Sequence, residues 1–309
     1  MYTVTSEEVL RQLRSFLDET EPSLVRLLMT MWQTEGKAIT YKELREAILS
    51  GEVSYEYLGQ WQQDYARFVT ETMEPMWLLA MEAAVSRLNE RMEGGQRVID
   101  WFNPMREGVR SWVRERGAAF VTNSTQTQIN ALRAVVSRAS VMEDIGVDEL
   151  ARVIRPMVGL TEQQAVANMK YYETLLENKV APKKAHDLAL RYAARQHRYR
   201  GTNIARTELA FAYNKGADEG TRQAQEAGMI GEVWKVWSTA KDERVCPICG
   251  AMNGRMLEMD EEYPYPTKLS ANNPGIRLTP PAHPGCRCAV MYVEKDTWED
   301  GDYDELPIH

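Results

Sequence analysis

Cysteine is scarce in this sequence, with four in 309 residues, and all four fall between Cys246 and Cys288. Long apolar runs are absent too. The best, Pro75 to Met81, is broken by Glu82 and falls far short of the ~20 residues a membrane span needs. The first residues, Met1 to Glu8, lack a basic stretch followed by an apolar one, so no secretory signal is expected, and the cysteines are expected to stay in a reducing compartment. The four histidines stand in no His-Glu-x-x-His or His-x-Glu pattern, which removes the common zinc protease and deaminase signatures. A Gly-rich phosphate loop and a nucleophile elbow are also missing. With no nucleophile, base and orienting group to name together, no enzyme is expected.

What is present is helical periodicity. Apolar positions recur at helical spacing after Ser6, and Pro22 reads as the start of a second helix that Gly36 ends. A short helix is expected from Tyr41 to Leu49, stopping at Ser50-Gly51. The longest element is expected from Tyr55 to Met92, kinked or split at Pro75 and ended by Gly94-Gly95. Helix should resume from Arg97 to Glu115, interrupted near Asn103-Pro104, and Asn123-Ser124-Thr125 reads as the cap of a further helix. Asp148 to Met157 makes another. Thr161 and Gln164 form a capping box, Pro182 opens the next helix, and Gly201 reads as its end, with a separate helix beyond.

The period changes at Val233-Trp234-Lys235-Val236-Trp237, which is dense in β-branched and aromatic residues and reads as a strand. Arg255 to Leu257 and Ala289 to Val293 are its expected antiparallel partners. The expected fold is therefore mainly α: a helical body over 1–160, connecting helices with a basic face over 161–200, a small α+β module over 201–293, and an acidic tail over 294–309.

The net charge of −8 hides a regional asymmetry. Val290 to His309 holds seven acids against Lys295, whereas Lys179 to Arg206 holds eight bases against Asp187. Arg191, Arg195 and Arg198 recur at four and three residues and share one helix face, a candidate contact for double-stranded DNA; a solvated flank is the plainer alternative.

Cys246-Pro247-Ile248-Cys249 supplies two thiolates from one tight turn, and His283, Cys286 and Cys288 offer three more soft donors within six residues. Five donors compete for the four positions of a closed structural zinc site. Two disulfides, or unliganded thiols, are the alternatives. The same four residues look like a thiol-redox motif, whose reactive cysteine sits at a helix N-terminus. Gly250 and Asn253-Gly254 are turn signals, so no helix is expected to open there.

Four stretches in order, Ile204 to Glu208, Ala212 to Gly216, Trp237 to Cys249 and Pro281 to Cys288, resemble the phage Mu F-like minor head (head morphogenesis) protein family. The resemblance covers roughly residues 160–293. It implies a structural minor capsid protein of a tailed phage or prophage, located in the virion at the capsid interior or portal vertex and in the host cytoplasm during assembly. Its implied partners are the portal protein, the major capsid and scaffold proteins and packaged DNA, with no membrane. Within that reading Arg206 and Glu208 are expected to pair with each other. A nucleic-acid-binding zinc module without a virion role, and less readily a zinc-dependent enzyme, are the rival functions.

Overall fold

The computed structural model describes residues 5–89, 102–142, 144–240, 242–264 and 278–297. It is mainly helical with one small antiparallel sheet, as expected. The helices are α1 (Ser6–Ala38), α2 (Tyr41–Ser50), α3 (Tyr55–Phe68), α4 (Glu74–Asn89), α5 (Glu107–Ala139), α6 (Val147–Ile154), α7 (Glu162–Glu177), α8 (Pro182–Glu226) and the short α9 (Pro247–Met252). The expected break at Gly94-Gly95, the start at Arg97 and most of the acidic tail lie outside the described residues.

The chain forms two compact units. One comprises residues 1–22, 73–119 and 203–309, the other 23–72 and 120–202. Helices α1, α5 and α8 each contribute a stretch to both.

Local signals fix several elements of the second unit. Thr40 caps α2 by accepting the Glu43 N–H while the Glu43 carboxylate accepts the Thr40 N–H at 2.7 Å. Gly51, at φ 74°, ends that helix in the left-handed conformation glycine tolerates best. Thr161 and Gln164 form the expected box at the start of α7. Beneath these helices runs a buried polar chain: Trp32 Nε1 donates to Tyr65 Oη, Tyr65 Oη to Gln128 Oε1, and Gln128 Nε2 to Glu35 Oε2. Glu35 Oε1 is buried without a hydrogen-bond partner among the described residues.

Burial pushes the Glu35 carboxyl up from its ordinary 4.5 to about 7, against the pull of the Gln128 amide. Between those values the folded chain keeps a proton that the unfolded chain releases, so this group makes stability fall as pH rises through the window, by up to about 3 kcal/mol. Glu35→Gln removes that loss. Urea midpoints at about pH 5 and about pH 8 should then differ less in the variant than in the parent, with the variant the more stable at the higher pH. Equal pH slopes would contradict the assignment.

The first unit carries the sheet, β2 (Met256–Leu257), β1 (Val233–Ser238) and β3 (Ala289–Glu294), with β1 central and both pairings antiparallel. Ser238 pairs with Ala289 and Val233 with Glu294, so the registers of β1 and β3 are complementary along their whole length. Lys235, in the middle of β1, is fully buried. Its ammonium donates to the carbonyl oxygens of Met259 (3.1 Å), Leu278 (3.2 Å) and Glu261, and burial pushes it down to about 8. One strand side chain thereby ties the chain on both sides of 265–277 to β1.

Several sequence expectations are corrected. Pro22 does not start a helix and Gly36 does not end one, because α1 runs through both. Asn123-Ser124-Thr125 is not a cap but the middle of α5, where Ser124 and Thr125 are buried. Gly201 does not end a helix either; α8 is continuous over 45 residues. In each case side-chain packing along the helix outweighs a local breaker worth ~1–3 kcal/mol. Pro75 distorts its element without ending it: the helical run continues from Tyr55 to Asn89 and passes through a π turn over Val69–Met73 just before the proline.

Candidate metal centre

Cys246 N-caps α9: its sulfur accepts the Cys249 N–H at 3.4 Å, and Pro247 occupies the first turn. A helix therefore does open at the Cys-x-x-Cys stretch, contrary to the turn reading, and lasts six residues before Asn253 and Gly254 end it. The second half of the cluster is the turn His283-Pro284-Gly285-Cys286, closed by the Cys286 N–H on the His283 carbonyl at 3.1 Å, with Gly285 at φ 72°. His283 Nε2 lies 3.1 Å from Cys246 Sγ and 3.3 Å from Cys249 Sγ, and Cys249 Sγ lies 3.6 Å from Cys286 Sγ.

All five sequence-identified donors are thus brought together, in two sets whose ligand atoms lie within 4.8 Å of one another: Cys246, Cys249 and His283, and Cys249, Cys286 and Cys288. Cys249 belongs to both. The four cysteines are free thiols. Cys249, Cys286 and Cys288 are buried in a core with Trp237, Met252, Tyr263 and Ala282, and a small pocket bordered by Ala240, Arg244 and Arg287 lies against the donors.

The electrostatics describe a cluster short of positive charge. Contact with the Cys286 sulfur, then with that of Cys288, pushes the Cys249 thiol far up, while hydrogen bonds from Cys249 and Cys288 hold Cys286 well below the thiol range. Cys288 is pushed up: its contact with Cys249 lowers it, but Cys286 and burial prevail. Burial raises Cys246, yet the Cys249 N–H and His283 bring it below its ordinary value. His283 is raised despite burial by the Pro284 carbonyl, Cys286 and Cys246. Three adjacent sulfurs cannot all ionise without a cation, and a divalent ion supplies the charge that the shared protons now provide. The cluster is fit to hold a metal ion.

Helix α8 positions this half of the site. Thr207 Oγ1 accepts the Gly285 N–H at 3.0 Å, and Asn214 bridges β3 by accepting the Val290 N–H at 2.9 Å and donating to the Cys288 carbonyl at 3.4 Å. Arg287, between the two C-terminal cysteines, grips Asp242 through two bonds of 2.8 and 2.6 Å, which with the Arg244 N–H holds that carboxyl down at about 2. None of these supporting roles follows from residue type alone. Arg206 and Glu208 do not pair with each other as expected, since residues two apart on a helix point to different sides. Arg206 binds Glu21 at 2.8 Å, and Glu208 forms a buried pair with Arg116, whose guanidinium also lies over the Phe211 ring.

Residues 130–291, more than half of the chain, match the family model described as phage Mu protein F like protein. The chain belongs to that family. No curated protein and no solved structure matches it. Membership of the Mu F-like family makes it a phage head morphogenesis protein, with capsid-assembly partners and a place in the virion or its assembly. The matched stretch starts about 30 residues before the sequence resemblance, within α5, and contains all five donors.

The three arginines of the Mu F-like chain's basic face, Arg191, Arg195 and Arg198, lie on the part of α8 that belongs to the other unit, and all three are exposed. That unit also holds a cavity of about 300 Å³ between Trp32, Leu190, Ala193 and His197. Two of its polar lining residues are committed: both His197 nitrogens face carbonyl oxygens, of Ala193 and Val158, and Arg155 binds the carbonyls of Gly36 and Lys37. Among the described residues no helix is long and apolar enough to cross a membrane.

Proposed function

We propose that this Mu F-like protein is a minor capsid component of a tailed phage or prophage, acting at the portal vertex, with a structural zinc ion stapling its C-terminal module and its basic helix face turned to packaged DNA. Residues 1–160 serve as the helical body, 161–200 present the basic face, 201–293 form the stapled module and 294–309 an acidic tail. The observation that carries the reading is the convergence of five zinc-type donors, from two segments separated in sequence, three of them in the core and two at its edge, in a head-protein family member. Thiolate and imidazole donors suit zinc, and a site filled by four protein ligands stabilises the fold and leaves no open position for chemistry, which favours a non-enzymatic role.

Cross-linking of assembled heads tests the location. Links from Lys183 or Lys184, both exposed, to the portal protein are expected. Links to the major capsid protein alone would remove the portal assignment while leaving a head protein.

For the DNA face, the full-length chain should bind double-stranded DNA at low salt, and the triple variant Arg191→Glu, Arg195→Glu, Arg198→Glu should lower the slope of log affinity against log salt by about 3. Loss of that difference, or no binding by the parent, would reduce the arginines to a solvated helix flank.

A further inference from the structure

Five donors cannot all enter one tetrahedral shell, and the structure distinguishes them by the backbone that carries them. Cys246-Pro247-Ile248-Cys249 and His283-Pro284-Gly285-Cys286 follow one pattern: a donor, a proline, one residue and a cysteine. The first is the capped opening turn of α9, closed by the Gly250 N–H on the Cys246 carbonyl at 2.9 Å, and the second is a tight turn closed by the Cys286 N–H on the His283 carbonyl at 3.1 Å. Paired turns of this kind each present two donors to one ion.

We propose that zinc is held by Cys246, Cys249, His283 and Cys286, and that Cys288 stays outside the ligand set as a buried thiol packed beside them. The inference rests on the zinc reading above.

Cys288 Sγ stands within 4.8 Å of the Cys249 and Cys286 sulfurs, and contacts of 3.1, 3.3 and 3.6 Å run from Cys246 through His283 and Cys249 to Cys286. They approach the edges of a zinc tetrahedron, about 3.5 Å between sulfur and nitrogen and about 3.8 Å between sulfurs, given the usual bond lengths. The His283 ring is oriented as a ligand requires. Its Nδ1 lies 3.0 Å from the Pro284 carbonyl, which can only accept, so Nδ1 carries the proton and Nε2 turns its lone pair toward the two sulfurs.

Cys288 is placed differently. It immediately precedes β3, where Ala289 pairs with Ser238, and its carbonyl and the Val290 N–H are both held by Asn214. Its backbone cannot shift toward the ion without loosening that anchor, whereas Cys286 sits on a turn next to Gly285. The Cys288 side chain is 4% exposed and belongs to the Trp237 core.

The test uses the full-length chain purified with zinc. Zinc K-edge X-ray absorption on the parent should give three sulfurs and one nitrogen. Cys288→Ser should keep about one zinc per chain with an affinity lowered by no more than the about 10–100-fold of an outer-shell change, whereas Cys286→Ser should no longer retain zinc through desalting. A four-sulfur shell, or loss of zinc from Cys288→Ser with retention in His283→Ala, would replace this ligand set by the four-cysteine one. A parent that takes up no zinc would instead overturn the zinc reading and the ligand set with it.

Discussion

Cys249→Ser is expected to abolish zinc binding and to destabilise the chain by more than about 5 kcal/mol, because structural zinc contributes its binding energy to folding. Cys249 is the one donor shared by both sets, and its side chain is 2% exposed. The size of the effect separates two roles for the sulfur. As mere core filler, exchange for a hydroxyl of similar volume would cost about 1–3 kcal/mol for the polar group left buried. As a ligand, its loss frees α9 from the 283–288 turn, and that turn is what carries the chain into β3. Zinc analysis with limited proteolysis between residues 233 and 294 reads the outcome: rapid cleavage and no metal are expected. A variant that keeps its zinc and resists protease would show that Cys249 is not a ligand.

Gly216→Ala is expected to destabilise by at least about 3 kcal/mol, although the same exchange inside an ordinary helix stabilises by up to about 1 kcal/mol. A Cβ at Gly216 would stand 2.3 Å from Met81 Cα and 2.6 Å from the Met81 carbonyl oxygen, so backbone of α4, not a flexible side-chain end, would have to move. Gly201, in the same helix, provides the control. A Cβ there meets Val25 Cγ1 at 3.4 Å, an ordinary contact, and Gly201→Ala should be neutral or slightly stabilising. Thermal or urea unfolding of the two variants gives the comparison. Equal stabilities would show that α8 and α4 are not packed as closely as described.

Gly216 also explains part of what the sequence resemblance carried. In Ala212 to Gly216, Asn214 pins β3, Lys215 bonds Asp218 at 3.1 Å and Glu219 at 2.6 Å, and Gly216 admits the Met81 backbone. In Ile204 to Glu208, Arg206, Thr207 and Glu208 reach Glu21, Gly285 and Arg116 respectively. The motif residues are thus the points where α8 grips its surroundings. Their types were readable, but several of their partners lie from about 70 to about 185 residues away in sequence, and no local pattern connects them.

Elements governed by nearby atoms were legible: the short helix closed by Gly51, the capping box at Thr161, the distortion before Pro75, the three strands and the clustered donors. Helix boundaries expected at Pro22, Asn123 and Gly201 were not, because a proline, a glycine or a run of cap-type polar residues costs a helix at most a few kcal/mol and long packed faces exceed that. Yet these signals are not noise. Pro22, the π turn before Pro75, and Gly201 each fall within three residues of a boundary between the two compact units. The breakers mark where a helix passes from one unit to the other rather than where it stops. Lys235 was read only as part of a strand, since its carbonyl partners come from segments on both sides of 265–277.

The central claim is that the C-terminal cysteines and His283 staple the module through one ion. Elemental analysis of the purified chain, with thiol titration under non-reducing conditions, tests it most directly. About one zinc per chain, with the ligand thiols reactive only after chelation, is the predicted result. No metal and no titratable thiols would mean two disulfides in place of the staple and would contradict the account.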